Sequence, residues 1–272
     1  MTYRTANPRL IRSLTLASAT VAIGIAGPAL SDQATQLHPD ATIWLAQTAT
    51  AEGGEGGESG AGAEMPDGAG YLASLALIEG HLRVGFALYS EGQADLAITH
   101  MKHPKDEIYT DLEPELAEYG AAGFADELAA LADSVTAKKP LPEVEAAYQA
   151  VLVKTQMARD ASAASPRAIF DSIIAVTRVA AEEHAIGIVD GQVANLHEYQ
   201  DAWGFIETAK LMAQGLVGSD DAKVALAAEK TVAALNGTSA AFAGLVPKSA
   251  VGGGDILLAA AGSIELASYS VK

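Results

Sequence analysis

Six histidines are the side chains in this sequence best suited to chemistry, and helical spacing can gather five of them. His81, His100 and His103 belong to one run of apolar residues at three- and four-residue steps, His184 and His197 flank a later turn, and His38 lies in a glycine- and acid-rich N-terminal stretch. On a helix, residues three apart share a face, so His100 and His103 can reach one ion, with Asp106 and Glu107 just past Pro104. His81, on the antiparallel partner of that helix, can stand opposite His100. Two or three imidazoles with a carboxylate suit iron, copper or zinc.

A second constellation reads Glu182-Glu183-His184, Asp190-Gly191 and His197-Glu198-Tyr199-Gln200-Asp201, followed by Glu207. Closing two helices about residues 191–195 would bring His184, Asp190, His197, Glu198 and Asp201 together, hard oxygens with imidazoles that suit Fe³⁺, Fe²⁺ or Mn²⁺. The candidate metal ligands are therefore His81, His100, His103, Glu107, His184, Asp190, His197, Glu198 and Asp201, in one site or two. Plainer roles are open to the same residues: His103 as a cap on helix carbonyls, Glu182 and Glu183 as solvated charges, Asp190-Gly191 as a helix stop.

The elements that must position these side chains are helical throughout. Tyr71, Leu72, Leu75, Ile78, Leu82, Gly85, Phe86 and Tyr89 recur with helical period, Gly92 punctuates, and Leu96 to Met101 continue to Pro104, which predicts a helical hairpin with tetratricopeptide-like spacing in its single unit. Shorter acidic helices follow over Glu107–Tyr119 and Phe124–Thr136. A long helix opens at Pro142, another is capped by Ser165-Pro166 and stopped at Asp190-Gly191, and a third starts near Asn195. Asp220 caps one more, and Asp255–Ala267 forms the last. No useful strand pattern occurs, so the expectation is an all-α bundle of antiparallel helix pairs with almost no sheet.

The first 31 residues read as a cleavable signal peptide: Arg4, Arg9 and Arg12 without an acid, an apolar Leu14–Ala26, and small Ala29 and Ser31 either side of Leu30, with cleavage after Ser31. Residues 32–68, with Glu52-Gly-Gly-Glu-Gly-Gly-Glu58, read as a disordered acidic linker, and 69–272 as the helical domain, either whole or as two sub-bundles dividing near residue 140. No segment after the leader reads as a membrane span. This places the mature protein in the periplasm. Cysteine is absent, which removes disulfides, thiolate sites and a lipoprotein anchor. Loss of the leader's three arginines takes the net charge from −17 to −17 − 3 = −20, a field that repels nucleic acid and anionic membrane and attracts cations. Catalytic signatures are missing, among them Gly-x-Ser-x-Gly, His-Glu-x-x-His and the phosphate-binding glycine loops, so an enzyme is not expected.

The stretch His184-Ala-Ile-Gly-Ile-Val-Asp-Gly191, then Glu198-Tyr-Gln-Asp-Ala-Trp-Gly-Phe205, resembles the soluble extracytoplasmic helical region of bacterial FTR1-type iron permeases over about 25 residues (184–205), with His184 standing where that region has an aromatic. The resemblance implies a stand-alone relative that captures or presents iron without transporting it. Two readings of function follow. One is a periplasmic protein that binds iron or another divalent transition metal and passes it to an inner-membrane permease. The other is a non-catalytic scaffold that binds another envelope protein in a groove lined by Tyr71, Leu75, Phe86 and Tyr89.

Overall fold

Helix α1 (Ala69–Ser90) is apolar around nearly its whole circumference, and such a helix is stable in water only at the centre of a bundle. In the computed structural model, which describes Met65, residues 68–248 and residues 252–272, it occupies that place. Tyr71, Leu72, Leu75, Ile78, Leu82 and Leu88 are all buried. The expected leader, nearly all of the expected linker, and His38 lie outside the described residues. By length and mean hydropathy, 1.2 over its most apolar window, α1 could cross a membrane, against the sequence expectation of no span after the leader. Its composition serves the interior instead, for 78% of that window is buried inside the protein.

Around α1 the described chain forms eight further helices. α2 (Ala94–His103) returns antiparallel to it after the turn at Glu91–Gln93, as the spacing predicts. α3 (Thr110–Glu118), α4 (Ala125–Thr136) and α5 (Leu141–Ser162) follow, then α6 (Pro166–Gly187), α7 (Leu196–Leu216), α8 (Ala222–Asn236) and α9 (Asp255–Ser268). Helices α6, α7, α8 and α9 each pack on two others of the set and close a four-helix ring, while α1 lies against α2, α5, α6 and α7, on both sides of residue 140. Ser165 accepts a hydrogen bond from the Ala168 amide and caps α6 as expected; the cap of α8 is Asp221, one residue after the one expected.

Two local details differ from expectation. Pro104 was expected to end α2, yet the chain passes through it in a π-helical turn, Pro104–Tyr109, and continues into α3. Proline removes one backbone donor and crowds the preceding turn, and a widened turn absorbs that defect without ending the helix. Asp190-Gly191 was expected to stop α6, but α6 ends at Gly187. The pair sits with positive φ at both positions (52° and 73°) between β1 (Ile188–Val189) and β2 (Gln192–Val193), whose antiparallel pairing is the one piece of sheet among the described residues. Aspartate-glycine in that conformation is the favoured two-residue hairpin turn.

Candidate metal centre

Asp201 is fully buried on α7, where an isolated carboxylate would be costly, and what surrounds it are imidazoles. Its Oδ1 lies 2.7 Å from His81 Nδ1 and 2.8 Å from His100 Nδ1; both histidines are themselves buried. Its Oδ2 lies 3.1 Å from His197 Nδ1, one turn earlier on α7. The His100 and His197 rings stack with centroids 4.1 Å apart and planes 8° from parallel. His103 tilts against both His197 (4.6 Å) and His81 (6.3 Å). Glu107, one turn on through the π-helical segment, reaches His103 Nδ1 at 3.3 Å, and Glu198 Oε2 stands 4.0 Å from His197 Nδ1.

Four imidazoles and three carboxylates thus meet at one place, supplied by α1, by α2 with its π-helical extension, and by α7. The two expected constellations are one cluster. Ligand atoms of His81, His100 and Asp201 fall within 4.8 Å of one another, and so do those of His197, Glu198 and Asp201. Neither group includes His184 or Asp190. The His184 ring, in the last turn of α6, has Nε2 3.1 Å from the Ala241 carbonyl and meets Phe242 in a T-shaped contact. Asp190 is exposed in the hairpin turn.

Gln200 is the participant that ligand chemistry does not single out. Its Nε2 donates to the Leu245 carbonyl (3.0 Å), which turns its Oε1 toward His100 Nε2 at 2.9 Å. His100 therefore faces an oxygen from each ring nitrogen, Asp201 on one side and Gln200 on the other. A neighbouring amide of this kind orients a histidine ring for coordination. Two buried polar atoms in the cluster make no hydrogen bond, His197 Nε2 and Asp201 Oδ2. Such orphans are costly, and a cation on the Oδ2 side of Asp201 would satisfy the second of them.

The electrostatics follow from this packing. Burial alone would raise the Asp201 carboxyl, but the His81 and His100 charges and hydrogen bonds outweigh it and hold the group well below the usual carboxylate range. Burial pushes His197 down to about 4; Asp201 opposes that, while His100, His103 and His81 add to it. A neutral imidazole beside an ionised carboxylate is the protonation pattern that coordination requires. A cleft of about 400 Å³ opens onto the centre between Asp95, Thr99, His103, Asn195, His197 and Glu198, giving a cation a polar approach. A larger cavity of about 590 Å³, between Leu72, Glu79, Arg83, Arg159, Thr208 and Met212, holds none of the candidate ligands.

Fold and centre together define a class, an all-α bundle whose interior carries an imidazole and carboxylate cluster. Residues 159–268 match the family model of the iron permease-associated 4-helix bundle domain. That span takes in α6 to α9, the closed ring, and contains the stretch 184–205 on which the resemblance to FTR1-type permeases rests, so the resemblance is borne out and extended. No curated protein and no solved structure gives a significant match to this chain. His197, Glu198, Gln200 and Asp201 lie inside the matched span; His81, His100, His103 and Glu107 lie before it.

Proposed function

We propose that this protein captures iron or another divalent transition metal at the Asp201 centre and presents it to a membrane permease, working in the periplasm once the leader has been removed after Ser31. The observation that carries the reading is the convergence of His81, His100, His103 and His197 on Asp201, with Glu107 and Glu198 beside them, from segments far apart in the chain. Histidine nitrogens and carboxylate oxygens form a mixed donor set suited to Fe²⁺, Mn²⁺ or Zn²⁺. The match of α6–α9 to an iron permease-associated domain favours iron and a permease partner. Strong net negative charge raises the local concentration of cations. The role is that of a carrier, without catalysis.

The adaptor reading has less to rest on. Tyr71 and Leu75, two of the four residues expected to line its groove, are inside the core, and the imidazoles converge where that reading needs them apart.

Elemental analysis tests the proposal on protein purified without chelator or histidine tag, and again after anaerobic reconstitution with Fe²⁺. Near-stoichiometric iron is expected, with loss in a His100→Ala, His197→Ala double variant whose circular dichroism remains helical. Absence of bound metal in the parent protein after reconstitution with Fe²⁺ would overturn the reading.

A further inference from the structure

We propose that the centre holds two divalent cations bridged by the Asp201 carboxylate. The proposal rests on the cation-binding reading above and concerns how many ions the site takes and which residues hold each.

Asp201 divides its two oxygens between different partners. Oδ1 meets the Nδ1 atoms of His81 and His100; Oδ2 faces His197, with Glu198 in the same ligand group. The result is two separate three-residue ligand sets that share only this carboxylate. An ion on Oδ1, drawing in His81 and His100, leaves Oδ2 and His197 Nε2 as buried atoms without hydrogen bonds, and a second ion on the Oδ2 side relieves the first of these. The near-parallel stacking of His100 and His197 at 4.1 Å sets one imidazole of each set side by side.

The number of donors agrees. Two four-coordinate ions sharing a bridging carboxylate require about seven protein ligands between them, and the cluster contains four histidines and three carboxylates. His103, the last residue of α2 and part of the cleft wall, and Glu107, on the π-helical turn, pair at 3.3 Å beside the two sets.

Titration of the chelator-treated protein with Mn²⁺ under argon, followed by equilibrium dialysis and electron paramagnetic resonance, separates the outcomes. Two Mn²⁺ per chain with an exchange-coupled signal is the expected result, falling to one Mn²⁺ and an uncoupled signal in a His197→Ala, Glu198→Gln variant. One Mn²⁺ per parent chain overturns the pair and leaves the single-ion reading standing, as does a second Mn²⁺ without coupling, which places it away from Asp201. No binding of Mn²⁺ and none of Fe²⁺ overturns both. The count on the parent protein does not depend on whether any variant folds.

Discussion

His197 shows how a single ligand ties the centre to stability. Its imidazole is held neutral by burial down to about pH 4, whereas in the unfolded chain it titrates near 6.5. As pH falls below about 6.5 the unfolded chain takes up the proton first, so stability is lost progressively between about 6.5 and 4, by about 3 kcal/mol in all. Asp201 does not confuse this window: its carboxyl is held below its unfolded value, so its stabilisation is intact above about pH 4 and is lost only at lower pH. Urea unfolding of chelator-treated protein at pH 7 and pH 4.5 should show the decline, and His197→Gln should remove most of it. An identical decline in the variant would mean that another group carries it. The types of these candidate ligands were legible in the sequence, since helical spacing joined His100 to His103 and closure about residues 191–195 grouped His197 with Asp201. Their orientation was not. His184 and His197 look equivalent on either side of a turn, and what separates them is tertiary: the α6 histidine finds the Ala241 carbonyl and Phe242, contacts made across residues with no periodic signal. The merging of two constellations into one was hidden for the same reason, because nothing local states that α1 will lie on α7.

At the scale of elements, that packing of α1 on α7 is made possible by two glycines. A Cβ on Gly204 would lie well inside van der Waals contact distance of the Gly80 carbonyl oxygen, and one on Gly80 would collide with the Phe205 ring and stand 3.1 Å from the Phe205 amide nitrogen. Gly80 precedes His81, and Gly204 follows Asp201 by about one turn, so the point of closest approach lies beside the 2.7 Å contact between those two ligands. Gly204→Ala should therefore force the helices apart, costing about 1–3 kcal/mol of stability and weakening cation affinity together. Gly262→Ala, in α9 where a Cβ meets nothing within 4 Å, should leave affinity unchanged and raise stability slightly through helix propensity. Thermal melts with a parallel Fe²⁺ or Mn²⁺ titration read both effects; unchanged affinity in a destabilised Gly204→Ala would separate the crossing from the site. Helix existence and the all-α class were readable from the 3.6-residue period and the caps at Ser165 and Asn195. The π-helical turn was not, because Pro104 reads as a break to any rule that considers only the lost donor, while the surrounding packing keeps the helix going. Asp190-Gly191 carried the right conformation and the wrong context, a hairpin turn in place of a helix stop.

For the whole molecule, the division of the cluster's side chains is the decisive fact. The ring α6–α9 that matches the iron permease-associated domain contributes three of the seven side chains of the cluster, and the helical segments before it contribute four. A bound cation therefore cross-links α1 and α2 to α7, and because the unfolded chain does not hold these seven side chains together, binding stabilises the folded state by mass action. At a free cation concentration a hundred times the dissociation constant the gain is about 2.7 kcal/mol. For a domain of this size each kcal/mol moves Tm by about 2–4 °C, so the melting temperature should rise by about 5–10 °C and keep rising as the logarithm of cation concentration. Differential scanning calorimetry over a Fe²⁺ or Mn²⁺ series under argon makes the measurement. Asp201→Asn removes the charge that both ligand sets share and should lose most of the response while the fold is retained. A shift of equal size in that variant would place cation binding on the acidic surface, and a shift in the parent that is abolished by the variant would place it where the two halves of the chain meet.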